Sequence, residues 1–199
     1  MHRFFRLIFL LPEPHHVLAN LFVDIFCVFD SGNRNNSEVL VSTEHCLGDR
    51  RALHTHCPGE RVMDDVISLV AVMCSEGAMS ESVLKRWWLP TSFQQIAVNP
   101  TNYCPKTLEY IKEKFMGKTD KLFKVYVPLH ADDHWYLMII DFFNWKLVYL
   151  DSLKDSRLTK ARKDQMLYVV FYDGTPDEMH KPSTYEIVDL EIGQQADGS

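Results

Sequence analysis

The chain has 199 residues, 46% of them hydrophobic and 24% charged, enough for one folded domain with a sizeable core. Its formal net charge is −6, from 21 basic and 27 acidic residues, and this excludes a dominant nucleic-acid footprint, which needs a basic excess. Five cysteines at irregular spacing (Cys27, Cys46, Cys57, Cys74 and Cys104) make a poor disulfide framework and fit a reducing compartment inside the cell, nuclear or cytoplasmic.

The N-terminus, MHRFFRLIFLLPEP, imitates a secretory signal, with Arg3 and Arg6 ahead of apolar residues. Leu7–Leu11 is short for the apolar core of a signal, and Pro12 follows at once. Val17–Phe29 falls short of a membrane span and contains Asp24, so no membrane partner is expected. Asn35-Asn36-Ser37 has the form of a glycosylation sequon, which matters only in a secreted protein. The turn-rich stretch DSGNRNNS at 30–37 marks a break, and residues 1–50 are expected to form an arm ahead of a main domain at 51–199.

Within that domain Asp65–Cys74 reads as a buried helix, with Asp64 and Asp65 favourably placed at its N-terminus. Ser80–Trp88 (SESVLKRWW) reads as a second helix, stopped before Pro90. Thr107–Phe115 reads as a third, with Leu108, Ile111 and Phe115 on one face. The pattern then turns β-rich in Phe123–Leu129, Trp135–Asp141 and Lys146–Leu150. The middle run is almost wholly apolar, as in a strand covered on both faces. Ala161–Tyr172 fits either a helix or a strand, and Tyr185–Ile192 reads as a last strand. Helices followed by strands and mixed elements predict an α+β fold.

Two polar side chains bracket the apolar runs. His134 opens the first and Asp151 closes the second. If Asp141 stands opposite Lys146 in an antiparallel hairpin, His134 falls opposite Leu153 and Asp151 lies one diagonal step away; a tighter turn sets His134 and Asp151 directly opposite. An Asp so placed can accept a hydrogen bond from one ring nitrogen and leave the other free as a base. On these two residues alone, a simple surface pair is the commoner arrangement.

The wider segment VYVPLHADDHWYLMIIDFFNWKLVYLDSL resembles the catalytic core of the ubiquitin-like-protein-specific (SUMO, or sentrin) proteases. The matching features are Val125–Pro128, the polar loop Ala131–Asp133, His134-Trp135, the run to Asp141, and Asp151-Ser152-Leu153. The Gln-Gln pair of GQQADGS at 193–199 continues the pattern, and the wording is closest to the family's plant branch. The resemblance implies a papain-like or adenain-like cysteine protease fold, a central mixed sheet flanked by helices. It implies a peptidase that cleaves after the Gly-Gly end of a ubiquitin-like modifier, in maturation or deconjugation, with that modifier and its conjugates as partners and no cofactor or metal. It makes His134 the general base, Asp151 its orienting partner, Gln195 a donor to the oxyanion, and Trp135 a wall of the channel for the Gly-Gly tail.

Two departures from the family pattern stand out. Where the family has Trp-Leu-Asn-Asp ahead of its first long helix, this chain has Arg61-Val62-Met63-Asp64. The family's Asp-Cys-Gly element, which carries the nucleophile, would begin just after Ser199, so the resemblance reads the chain as incomplete before that Cys and inactive. Among the cysteines present, Cys104 (in NYCPK, ahead of a helix) is the least unsuitable substitute and the helix dipole opposes a thiolate at Cys74; all five read as ordinary buried or surface thiols. His45, Cys46, His54, His56 and Cys57 cluster without the paired spacing of a zinc knuckle. The basic run Arg157–Lys163 reads as a solvated face, or one that touches an acidic modifier surface. The alternative reading is a non-catalytic, transposon-derived pseudo-protease or modifier-binding module.

Overall fold

A computed structural model describes residues 35–43, 46–55, 61–80, 85–98, 104–116, 122–152, 159–164 and 185–190. The stretch Val17–Phe29, most of Ala161–Tyr172, and the tail that holds Gln195 lie outside these residues. No helix among the described residues is long and apolar enough to cross a membrane.

Two short strands come first, β1 (Val39–Ser42) and β2 (Leu47–Asp49), paired antiparallel. The side chain of Asp49 then accepts the Ala52 N–H at 2.7 Å and caps the short helix α1 (Arg50–His54). Arg50 reaches back to Glu38 at 2.8 Å. Gly48 lets this hairpin close on the next helix, since a Cβ there would lie 2.6 Å from Leu69 Cδ1. That next helix is α2 (Asp64–Ser80), which contains the predicted Asp65–Cys74. Val66, Ile67, Leu69, Val70, Ala71, Val72 and Cys74 are all buried on it. A helix apolar around so much of its circumference belongs inside the domain.

The expected helix at Ser80–Trp88 is instead, over Lys85–Trp88, a strand, β3. It pairs parallel with β4 (Leu122–Ala131), with Trp88 beside Tyr126. The Trp88 ring lies flat on the Tyr126 ring, 3.8 Å between centroids and 7° from parallel. A local helix would satisfy its own backbone, but here the open edge of β4 offers the same hydrogen bonds and a flat aromatic surface besides. Aromatic residues fit such a half-buried pleat. The Leu89 N–H extends the pairing to Tyr126 O at 2.9 Å, and Pro90 opens an unanticipated helix, α3 (Thr91–Val98). Helix α4 (Pro105–Phe115) contains the predicted Thr107–Phe115, with Ile111 and Phe115 buried and Leu108 partly so.

The three predicted strands are β4, β5 (His134–Asp141) and β6 (Lys146–Leu150), and the last predicted strand is β7 (Glu186–Asp189). The five-stranded sheet runs β3-β4-β5-β6-β7, parallel at both outer pairings and antiparallel at the two inner ones. The β5–β6 register places Asp141 opposite Lys146 and Leu137 opposite Leu150, the alignment assumed in the sequence argument. Val127, Leu129, Tyr136, Met138, Leu147 and Tyr149 share one face, with no exposed surface.

Asp141 pins the β5–β6 turn. Its Oδ1 accepts the N–H groups of Phe143 and Asn144, its Oδ2 accepts Asn144 Nδ2 at 2.9 Å, and Lys124 Nζ stands 3.4 Å away. Burial disfavours the Asp141 charge, but the Asn144 and Lys124 contacts outweigh it and lower its pKa below 3.8. The folded state therefore binds this proton less readily than the unfolded chain. The resulting stability is complete above pH 3.8 and is lost as pH falls through the lowered folded value. Urea unfolding of Asp141→Asn should show a weaker acid loss than the native chain between pH 5 and 2; identical profiles would remove Asp141 from the acid response.

Candidate active site

His134 is launched by a two-residue turn. Asp132 and Asp133 both have positive φ, 53° and 57°, which is the twist a tight hairpin needs. The turn brings Ala131 opposite His134 at the shared end of β4 and β5. That end of β4 extends beyond β3, so its free edge needs another partner. Gln94 of α3 supplies it: the Gln94 side chain donates to His130 O at 2.8 Å and accepts the His130 N–H at 2.6 Å. One buried amide thus takes the place of a neighbouring strand.

Asp151 directly follows β6. Continuing the register puts it opposite Tyr136 and diagonal to His134, on the same face. His134 Nε2 lies 2.7 Å from Asp151 Oδ1, with the carboxylate fully buried and the imidazole 11% exposed. Asp151 Oδ2 accepts a hydrogen bond from Arg162 Nη1 at 2.7 Å and another from the Tyr149 hydroxyl. Burial and the Asp151 carboxylate together push the Tyr149 pKa up, so its phenol remains a donor. Burial works against the Arg162 charge, but Asp151 and Tyr149 more than offset it and raise its pKa. With two donors on Oδ2, Asp151 offers Oδ1 as the acceptor for His134. His134 Nε2 therefore carries the proton toward Oδ1, and Nδ1 keeps its lone pair open.

Trp135 alternates to the other face of the sheet. Its indole N–H donates to Val62 O at 3.0 Å, and its ring lies 4.6 Å from that of His130. The segment ahead of α2 therefore sits against Trp135. Arg61 itself pairs with Asp133 at 3.1 Å, both side chains largely exposed.

One sequence reading changes here. The run Arg157–Lys163 is not simply a solvated face: residues 159–164 are helical, and Arg162 within them is 1% exposed, locked onto Asp151. Composition hides this, because a buried Arg and a surface Arg read alike in a basic run. A possible signal was the need of a buried Asp for a second donor. Cys74 is buried in α2, and desolvation raises its pKa to about 12, so it stays a neutral thiol. Cys104 is exposed at the N-cap of α4, and Cys46 accepts a hydrogen bond from Thr43. Among the described residues, no three His, Cys, Asp or Glu side chains are grouped to hold a metal ion.

Fold and site together define an α+β protein with a buried His–Asp couple at one end of a mixed sheet. The sequence model of the Ulp1 protease family, C-terminal catalytic domain, matches residues 92–187, which include both members of the couple. No curated protein matches the chain by sequence. Among solved structures it is similar to the C-terminal Ulp1 protease domain in complex with Smt3, the yeast orthologue of SUMO (TM-score 0.63, 20% identity, 95% of this chain and 79% of that one). It is also similar to the SUMO protease Ulp1 with its catalytic cysteine oxidised to a sulfenic acid (TM-score 0.61, 18% identity, 94% and 78%). A third is the Ulp1-like SUMO protease catalytic domain of Chaetomium thermophilum (TM-score 0.57, 14% identity, 94% and 74%).

Proposed function

We propose that the chain is the catalytic domain of a thiol peptidase acting on a SUMO-type modifier, in which His134 is the general base, Asp151 orients it, Gln195 donates to the oxyanion and Trp135 lines the tail channel. The observation that carries this reading is the 2.7 Å contact between His134 Nε2 and the buried Asp151 carboxylate, within the stretch matched by the family. In the complete reaction Nδ1 of His134 takes the proton of a cysteine thiol. The thiolate attacks the carbonyl that ends the Gly-Gly tail, and His134 returns the proton to the leaving amine. Water then attacks the thioester, His134 again accepting a proton, and the modifier leaves with a free carboxylate. Trp135 suits the tail because a flat wall beside an extended backbone leaves no room for side chains.

Within residues 1–199 no cysteine occupies the nucleophile's place in the family pattern, and a polypeptide of these residues is expected to be inert. A SUMO-type modifier bearing a C-terminal electrophile should leave it unlabelled, but should label a chain continued past Ser199 with the Asp-Cys-Gly element and its helix. His134→Ala in the continued chain should slow labelling at least about 1,000-fold. Labelling of the 199-residue polypeptide would contradict its inertness, and an unlabelled continued chain would sink the peptidase reading. Arg61, where the family pattern has a Trp, favours a second reading in which the modifier is bound and not cut. Saturable binding of the unmodified modifier, without labelling of the continued chain, would mark it.

A further inference from the structure

Arg162 touches both segments that hold His134. Its Nη1 is 2.7 Å from Asp151 Oδ2, on the acceptor side of the couple. Its Nε is 3.7 Å from Asp132 Oδ2, in the turn from which His134 departs. Its guanidinium carbon is 5.9 Å from the centre of the Tyr136 ring, on the same face, and its backbone carbonyl accepts from the Tyr136 hydroxyl at 3.5 Å. A fully buried cation is costly unless its partners are fixed. Here the partners are the buried Asp151 carboxylate, hydrogen-bonded, and the half-exposed Asp132 carboxylate, at ion-pair distance. The guanidinium is planar and forked, so it can hold two groups at a set separation, which a lysine ammonium cannot do.

We propose that Arg162 is the positioning residue of the His134–Asp151 couple, setting the carboxylate of Asp151 and the Asp132–Asp133 turn in one frame so that the Nε2–H of His134 points at Oδ1. The proposal rests on the couple acting as the base unit described above. The 159–164 helix is then part of the site's machinery, although Arg162 itself meets no substrate. A contact with Asp151 alone would only neutralise charge. The additional reach to Asp132 makes the helix a brace between two otherwise separate loops.

The test reads the couple in the 199-residue chain, without need of a nucleophile. A proton held between a shielded imidazole and a carboxylate gives a resolved low-field resonance that exchanges slowly with water. The native chain should show it for His134, and Asp151→Ala should abolish it. Arg162→Met should speed its exchange by about tenfold or more, the effect of freeing a charge-assisted hydrogen bond. Arg162→Lys restores the charge without the fork and should recover only part of the protection. It also serves if the Met variant does not fold. A native exchange rate in either variant, with the resonance lost in Asp151→Ala, would overturn the positioning role and leave the couple standing. Survival of the resonance in Asp151→Ala would overturn the couple itself.

Discussion

Replacing Asp151 by Ala should destabilise the domain by about 3–5 kcal/mol, the range for breaking a buried ion pair by removing one partner. Asp151 is 0% exposed and Arg162 1%, and the carboxylate is the acceptor for Arg162, Tyr149 and His134 at once. Its loss leaves a guanidinium and a phenol without their shared acceptor in a site with little room for water. The double variant Asp151→Ala, Arg162→Met should be less destabilised than Asp151→Ala alone, because it removes the stranded charge together with its partner. Urea unfolding of the four proteins measures this, provided the denaturant slope is unchanged. A double variant that is destabilised by the sum of the two single losses would mean that the pair contributes no coupling. The distinction matters for function. A couple that is also a structural keystone cannot be loosened to gain activity without a loss of folded protein.

Gln94→Ala should cost about 1–3 kcal/mol, the penalty for leaving buried backbone groups unpaired. Gln94 is 7% exposed and spends both ends of its amide on the N–H and C=O of His130. Without it, the last residues of β4 keep only the pairing to β5 on one side. The loss should be local as well as global: amide exchange at His130 and through the Asp132–Asp133 turn should quicken more than exchange at Met138, in the middle of β5. Uniform quickening across the sheet would show that Gln94 contributes only to overall stability. Because the turn launches His134, this variant also tests whether α3 helps to place its imidazole.

The sheet was legible because its period is short and its residues are distinctive. Three runs of β-branched and aromatic residues fixed β4, β5 and β6, and an antiparallel hairpin has few registers once Asp141 faces Lys146. The meeting of His134 and Asp151 follows from that register by counting. Helix α2 was legible from its apolar run and α4 from the spacing of Leu108, Ile111 and Phe115. Strand β3 was not, since KRWW carries no local preference strong enough to resist what lies beside it. The open edge of β4 and the face of Tyr126 decided its form, and both are distant in sequence. Helix α3 was missed because eight residues are too few to show a period.

At the site the division is similar. The sequence by itself determined the chemical pair, its place at the ends of two strands and the family whose pattern it shares, because those depend on residue identity and on short-range register. Only the tertiary structure decided which ring nitrogen faces the carboxylate, that Gln94 closes the edge of β4, and that one Arg in a basic run is buried against Asp151. Those arrangements depend on which distant groups share a low-dielectric space. In that space a charge must be partnered, and the partner is set by packing, not by spacing along the chain.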